Sequence, residues 1–504
     1  MPAIGYEHLI RHFSLDVRPL QRPASTSASV NRRVDAPNQV LFPRTVAHQD
    51  SPVGHLEFAL RHEGVNLEVI DAAFEHIPAD ALVTALASAP NAAALRRACF
   101  LWEWLTGQTL PITTTPNAGY VDLFPSDLYV TATRSTNNQK YRVRNNALGN
   151  ADFCPVVRRT ALPEAPSLAE MMDQAKRTLE TLTDPVLYER AVNYLYLSET
   201  RSSFAIERET PSSDKQERFV QLLRRVGETV TVNEEWLVSL QNAIVRDTYS
   251  QEASYRTTQN WLEDGAGRVT FFPPPPEDLR QAMAGWETFV SDNARCEHTL
   301  VKAACAAFGF VYLHPFLDGN GRLHRFLIQH VLAPSSPLTG GALVPVSAVI
   351  LKHIPEYLGV LNGFSRPVTQ LWRYQRGDVT PVVTHSPGGR AYRFIDATAE
   401  VEFLHRMIQR AIEEEIPREL AWLSGYDVAY HQLDAELDLP NKDLSALIRM
   451  VHSNQGVLSE NRRRQYSHIP KDILDRIEDV VRQAFNQSNT NPGHAIADSG
   501  EEND

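Results

Sequence analysis

The chain has 504 residues, 43% of them hydrophobic, four cysteines and a formal net charge of −12. That length and apolar content suffice for a large core divided among roughly two to four structural units, and the acidic balance disfavours a protein that coats nucleic acid. Cys99, Cys154, Cys296 and Cys305 have neither metal-ligand spacing nor the density of a disulfide scaffold, which suits buried thiols in a reducing, cytoplasmic setting.

The stretch from Met1 to His8 lacks a basic segment followed by an apolar run, so no secretory signal is expected. Residues 1–50 are rich in Pro, Ser and Arg and read as a surface-hugging arm, with one short helical pattern around Tyr6 to Phe13. From Leu56 to Leu105 the pattern turns helical, and from Leu110 to Pro163 it reads as loops with extended pieces such as Leu128 to Thr133. His55, His62 and His76 fall at helical spacings; without partner ligands they read as core or solvated side chains, not a metal site. Residues 1–175 thus form an accessory N-terminal region with no catalytic constellation.

Residues 176–230 contain an apolar helical run through Tyr188, Tyr194, Leu195 and Leu197, ending in Ser202-Ser203-Phe204-Ala205-Ile206-Glu207-Arg208. An amphipathic helix over Thr231 to Thr248 buries Leu237, Leu240 and Ile244. Two β-prone runs, Tyr255 to Leu262 and Arg268 to Phe272, flank Glu263-Asp264-Gly265-Ala266-Gly267 and read as a hairpin. Four prolines from Pro273 to Pro276 stiffen its exit. Helices follow from about Glu277 to Asn293 and from Cys296 to Leu313, the second with Leu300, Ala303, Ala304, Ala307, Phe308 and Val311 on one packed face.

The most informative stretch is His314-Pro315-Phe316-Leu317-Asp318-Gly319-Asn320-Gly321-Arg322-Leu323-His324-Arg325. Apolar or semi-apolar residues at Leu323, Phe326, Leu327, His330 and Val331 mark an amphipathic helix whose first turn lies near Asn320. Unpaired N–H groups and the positive end of the macrodipole make that turn an anion site, and Gly319 and Gly321 let phosphate oxygens approach the backbone. Arg322 and Arg325, one turn apart, suit successive phosphates; Asp318 suits a Mg²⁺ that bridges them. His314, with an ordinary pKa of ~6.5, suits proton abstraction from a hydroxyl.

These residues match His-x-Phe-x-Asp-Gly-Asn-Gly-Arg-x-x-Arg at every fixed position, and the chain resembles the Fic/Doc (Fido) family of protein adenylyltransferases. The resemblance implies a mainly α fold: a Fic-type helical core with a small β-hairpin flap, plus N-terminal and C-terminal accessory helical regions. It implies AMP transfer from ATP to a Ser, Thr or Tyr hydroxyl of a target protein not identified by the sequence, or of the chain itself. His314 would be the general base, Phe316 an anchor of the loop in the core and Asp318 the Mg²⁺ ligand. Gly319, Asn320 and Gly321 would cradle the α- and β-phosphates, and Arg322 and Arg325 would hold the β- and γ-phosphates. His324 stands where many members have a small residue, either as a neutral substitution or touching the nucleotide. Ser203 and Glu207 resemble the family's inhibitory motif, in which Glu207 would pair with Arg325 and displace the γ-phosphate. Arg208 stands where that motif has Gly or Asn, and a non-glycine residue is harder to fit in a left-handed helix end. The hairpin would be the flap that pairs with an extended target segment.

From Phe326 to Leu351 no Asp, Glu, Lys or Arg occurs, but Pro334, Pro337, Gly340, Gly341 and Pro345 interrupt the run, so no membrane span is expected. Ser347 to Asn362 reads as one helix whose Tyr357 borders an adenine pocket by family analogy. Tyr392 to Tyr430 reads mainly as helix. Residues 441–485, with basic Arg462-Arg463-Arg464, read either as helices packed on a core or as a winged-helix-like module that touches DNA. The chain is accordingly divided into residues 1–175, an inhibitory segment 176–230, a catalytic domain 231–380, a C-terminal region 381–487 and a disordered acidic tail 488–504. The order of these segments resembles a long-chain bacterial branch of the family. Two alternatives remain open: another nucleotidyl transfer or AMP removal at the same site, and an ATP-sensing regulatory or DNA-binding protein.

Overall fold

The computed structural model describes residues 1–490 except 164, 246–250, 293, 294, 297, 337, 339, 340, 376 and 378–380. The acidic tail expected from residue 488 therefore lies almost wholly outside the described residues. The fold is mainly α, with four small sheets among the described residues, and it divides into two compact units that are discontinuous in sequence. One contains residues 1–164, 225–334 and 354–404; the other contains 165–224, 335–353 and 405–504.

The first unit begins with α1 (Tyr6–Phe13), β1 (Ala24–Ser27), β2 (Val34–Ala36) and β3 (Gln39–Pro43). The strands form a sheet of order β1-β3-β2, with β1 parallel to β3 and Ala24 opposite Val40. A surface arm was expected here; instead Ile4, Ala24, Val40 and Phe42 pack on Phe58, while Tyr6 and Leu9 join a larger core with Leu56 and Ile70. The short apolar stretches are too sparse to signal strands alone and are ordered by the helices beneath them. Those helices are α2 (Pro52–His62), α3 (Leu67–Phe74), α4 (Ala79–Ser88) and α5 (Ala93–Thr106). Ser51 and Asn66 cap two of them by accepting from Gly54 N and Val69 N. A second sheet, of order β4-β6-β5, joins β4 (Val121–Asp122), β5 (Thr136–Asn138) and β6 (Val143–Asn145).

In the second unit, α6 (Leu168–Leu179) starts at a capping box between Ser167 and Glu170. It precedes α7 (Pro185–Ile206) and α8 (Ser213–Leu223).

Back in the first unit come α9 (Glu234–Ile244), the hairpin of β7 (Leu262–Glu263) and β8 (Val269–Phe271), and α10 (Pro276–Ser291). Then α11 (Thr299–Leu313) and α12 (Asn320–Leu332) form the most extensively packed helix pair of this unit. Small residues make that packing close: Ala303, Ala304, Ala306, Ala307 and Gly309 are all buried on α11, and Trp286 of α10 donates from Nε1 to Ala306 O at 2.8 Å. The hairpin pairing is shorter than the β-prone runs suggested. Arg256 and Gln259 are held by other bonds, to His314 O and Pro273 O respectively, which draws the first run away from a ladder.

The single helix expected from Ser347 to Asn362 is two, α13 (Val346–Lys352) in the second unit and α14 (Ile354–Thr369) in the first. Pro355 has no N–H to continue the ladder of α13, so the chain turns at His353 and restarts. After β9 (Arg373–Gln375), β10 (Val382–His385), α15 (Arg390–Arg393) and α16 (Thr398–Arg410), a π-helical turn at Ala411–Glu415 leads into α17 (Ile416–Glu436). Then α18 (Asn441–Ser453), α19 (Glu460–Gln465) and α20 (Lys471–Thr490) pack with α17 around Leu433, Leu447, Ile448, Ile477 and Val480. Among the described residues after 405 there is no strand to serve as a wing. The basic run there is largely spent within the unit: Arg463 bonds Asp475 and Glu478, and Arg464 lies 3.6 Å from Glu460. All four cysteines are buried and none is in a disulfide, and no described helix is long and apolar enough to cross a membrane.

Candidate active site

The site is the turn between α11 and α12. His314 ends α11 with φ 50°, a left-handed conformation that lets the chain reverse and is uncommon for a residue with a Cβ. Its Nδ1 lies 3.3 Å from Val311 O, so donation of Nδ1–H there leaves Nε2 as the basic nitrogen. Phe316 is fully buried, with Tyr255 and Phe310 rings at 5.7 and 6.4 Å, and stakes the loop into the core. Asn320, also buried, closes the loop with its amide: Oδ1 accepts Phe316 N–H at 3.1 Å and Nδ2 donates to Phe316 O at 2.8 Å.

Gly319 sits at φ 90° immediately before α12, and among the described residues no side chain caps that helix end. Gly321 follows in the first turn. The first-turn amides therefore have the polarity and the access of an anion site. Arg322 and Arg325 are both buried. Arg322 Nη2 reaches Asp318 Oδ1 at 2.9 Å, one turn back, while Asp318 itself is half exposed. Its Oδ1 also accepts Gly319 N–H; among the described residues no hydrogen bond is formed to its Oδ2. An exposed hard oxygen of this kind, open to water on one side, fits a Mg²⁺ that keeps most of its hydration.

Beside the turn stands the hairpin. Asp264 Oδ1 accepts the N–H groups of Ala266 and Arg268, and Gly267 takes the left-handed φ of 69° that closes the turn. Both residues of β7 are exposed, as an edge available to another strand would be. Thr369 Oγ1 lies 3.3 Å from Phe272 N and ties the hairpin base to α14.

Thus His314, Phe316, Asp318, Gly319, Asn320, Gly321, Arg322 and Arg325 lie on one continuous turn and its helix. Glu207 lies in the second unit as the last cap of α7. There Arg208 adopts φ 58°, Arg208 N–H bonds Ala205 O at 2.9 Å and Glu209 N–H bonds Phe204 O at 3.0 Å. That is a complete Schellman turn with arginine in the position glycine usually holds. His324 is fully buried, with Nδ1 2.8 Å from Ala307 O, and so packs α12 on α11 rather than facing a nucleotide. Tyr357 is likewise buried, with its ring near those of Phe308, His324 and Phe403.

Two features escaped the sequence. His8, Asp50 and His55 bring ligand-type atoms within 4.8 Å of one another. However, Gly5 N–H donates to His55 Nδ1 at 3.2 Å, which places that ring's proton on Nε2, and the His8 and His55 rings stack face to face at 3.5 Å. Neither arrangement suits a shared metal; burial instead holds His55 down at about 4. The second is Arg256, buried beside the turn, where Nε donates to His314 O at 2.9 Å. Its distance along the chain from His314 leaves no local signal.

Residues 231–332 match the Fic/DOC family. It is similar to a protein adenylyltransferase Fic of Nematostella vectensis, 31% identical over 108 residues, which is 21% of this chain and 23% of that protein. It is also similar to a protein adenylyltransferase Fic of Drosophila melanogaster, 39% identical over 61 residues, 12% of each chain. The chain thus spans less than a quarter of the length of these curated relatives. A solved Fic family protein from Desulfovibrio desulfuricans G20 aligns over 66% of this chain and 90% of its own, at 17% identity and a TM-score of 0.36.

Proposed function

We propose that this chain is a protein adenylyltransferase that transfers AMP from ATP to a hydroxyl of a target protein, and that it restrains itself through Glu207. The observation that carries the reading is an uncapped helix start with a preceding left-handed glycine, flanked on one turn by His314, Asp318, Arg322 and Arg325.

In this reading the first-turn amides of α12 take the α- and β-phosphate oxygens, and Arg322 and Arg325 take the β- and γ-phosphates with planar forks. Asp318 would hold Mg²⁺, which when bound neutralises phosphate charge. A target strand pairs with the exposed edge of β7 and brings its hydroxyl to His314. His314 Nε2 accepts the hydroxyl proton while the oxygen forms a bond to the α-phosphorus. The bond from that phosphorus to the bridging oxygen breaks, its electron pair stays on that oxygen, and pyrophosphate leaves.

Self-restraint rests on the spacing of Ser203 and Glu207 and on the regular Schellman end that Arg208 accepts. A carboxylate on Arg325 would occupy the donors the γ-phosphate needs, and α-phosphorus would then sit out of line. Labelled ATP with Mg²⁺ tests the whole reading. The Glu207→Gly protein is expected to incorporate AMP into itself or a partner, and His314→Ala in that background is expected to remove the signal. ATP binding without any incorporation in either background would instead favour an ATP sensor, and labelling from UTP alone would change the nucleotide.

A further inference from the structure

Among the described residues, Arg256 carries its charge into the interior with no carboxylate hydrogen-bonded to it. The residue is 4% exposed, and its guanidinium bonds three backbone carbonyls: His314 O from Nε at 2.9 Å, Pro274 O from Nη2 at 2.6 Å and Thr258 O from Nη1 at 3.2 Å. Its own N–H donates to Pro315 O at 2.8 Å. One residue therefore holds the carbonyls of His314 and Pro315, together with those of Thr258 and Pro274 on the segments that lead into and out of the hairpin. Burying a cation costs several kcal/mol unless its donors are matched, so this placement is costly for mere packing. Burial lowers its pKa to about 10, which still leaves it charged at neutral pH. The carbonyl it grips belongs to a residue held at φ 50°, a conformation that relaxes unless the surroundings enforce it.

Resting on the adenylyl-transfer reading, we propose that Arg256 is the positioning residue for His314: its fork fixes the His314-Pro315 backbone and ties the catalytic imidazole to the base of the hairpin. Arg256 touches neither nucleotide nor target; it acts through the peptide of His314. A target strand seated on the hairpin is thereby registered against the base by the same side chain.

The test uses the full chain with Glu207→Gly, comparing Arg256→Lys and Arg256→Gln. Displacing the base by about 1 Å costs on the order of 10²-fold. Both variants are expected to lose kcat on that scale while KM for ATP stays within about threefold, and Arg256→Lys, which keeps charge and one donor, is expected to regain part of the loss. The NMR signal of the His314 ring in nucleotide-free protein is expected to move in both. Unchanged kcat and an unmoved ring signal in variants that still bind ATP would overturn the proposal, as would a loss confined to KM. Should the parent protein transfer no nucleotide, the function reading fails, and the ring signal still decides whether Arg256 positions His314.

Discussion

The amide of Asn320 grips Phe316 from both sides, accepting its N–H at 3.1 Å and donating to its carbonyl at 2.8 Å. This ring closes the loop that carries Asp318 and presents the start of α12. Asn320→Ala removes both bonds and leaves two buried backbone groups unpaired, at a cost of about 2–4 kcal/mol. The urea midpoint is expected to fall with an unchanged m-value, and ATP affinity to fall with it. Wild-type values of both would show that the loop holds its shape without the amide.

Arg208 occupies the left-handed end of α7 at φ 58°, where a side chain carries strain. Replacing it by glycine is expected to raise stability by about 1 kcal/mol, since the native turn is kept and the strain is lost. Under the proposed self-restraint, the same turn held without strain frays less and keeps Glu207 in place, so basal AMP incorporation is expected to fall. Equal melting temperatures for the two proteins would mean the arginine side chain recovers what its backbone loses.

Tyr312 donates its hydroxyl to Glu400 Oε1 at 2.7 Å in the core of the first unit, and among the described residues Glu400 Oε2 has no hydrogen-bond partner. Burial is the main cause that raises Glu400 to about 7; the Tyr312 bond opposes it. The folded chain binds this proton more tightly than the unfolded one does. Its contribution is therefore full below about 4.5 and drains away as pH rises through 7, by up to about 3 kcal/mol. Glu400→Gln keeps an acceptor for Tyr312 without the charge. Chemical denaturation of the variant between pH 5 and 8 should show a shallower decline than the wild type and higher stability at pH 8. A parallel pair of curves would place the titration elsewhere.

What the residues alone determined is local. The spacing of His314, Asp318, Gly319, Arg322 and Arg325 sets a helix start whose first-turn amides and flanking side chains suit an anion, because glycine freedom and side-chain reach act within a few residues. The hairpin at Asp264 to Gly267 and the left-handed position at Arg208 are local in the same way. Tertiary structure decided the rest. It ordered the first 50 residues through packing on Phe58 and Leu56, and directed His324 and Tyr357 inward against Phe308. It also brought Arg256 to the His314 carbonyl. Each of those outcomes depends on contacts between residues far apart in the chain, or on which face of a helix meets a neighbour, and neither is encoded in the spacing of a single stretch.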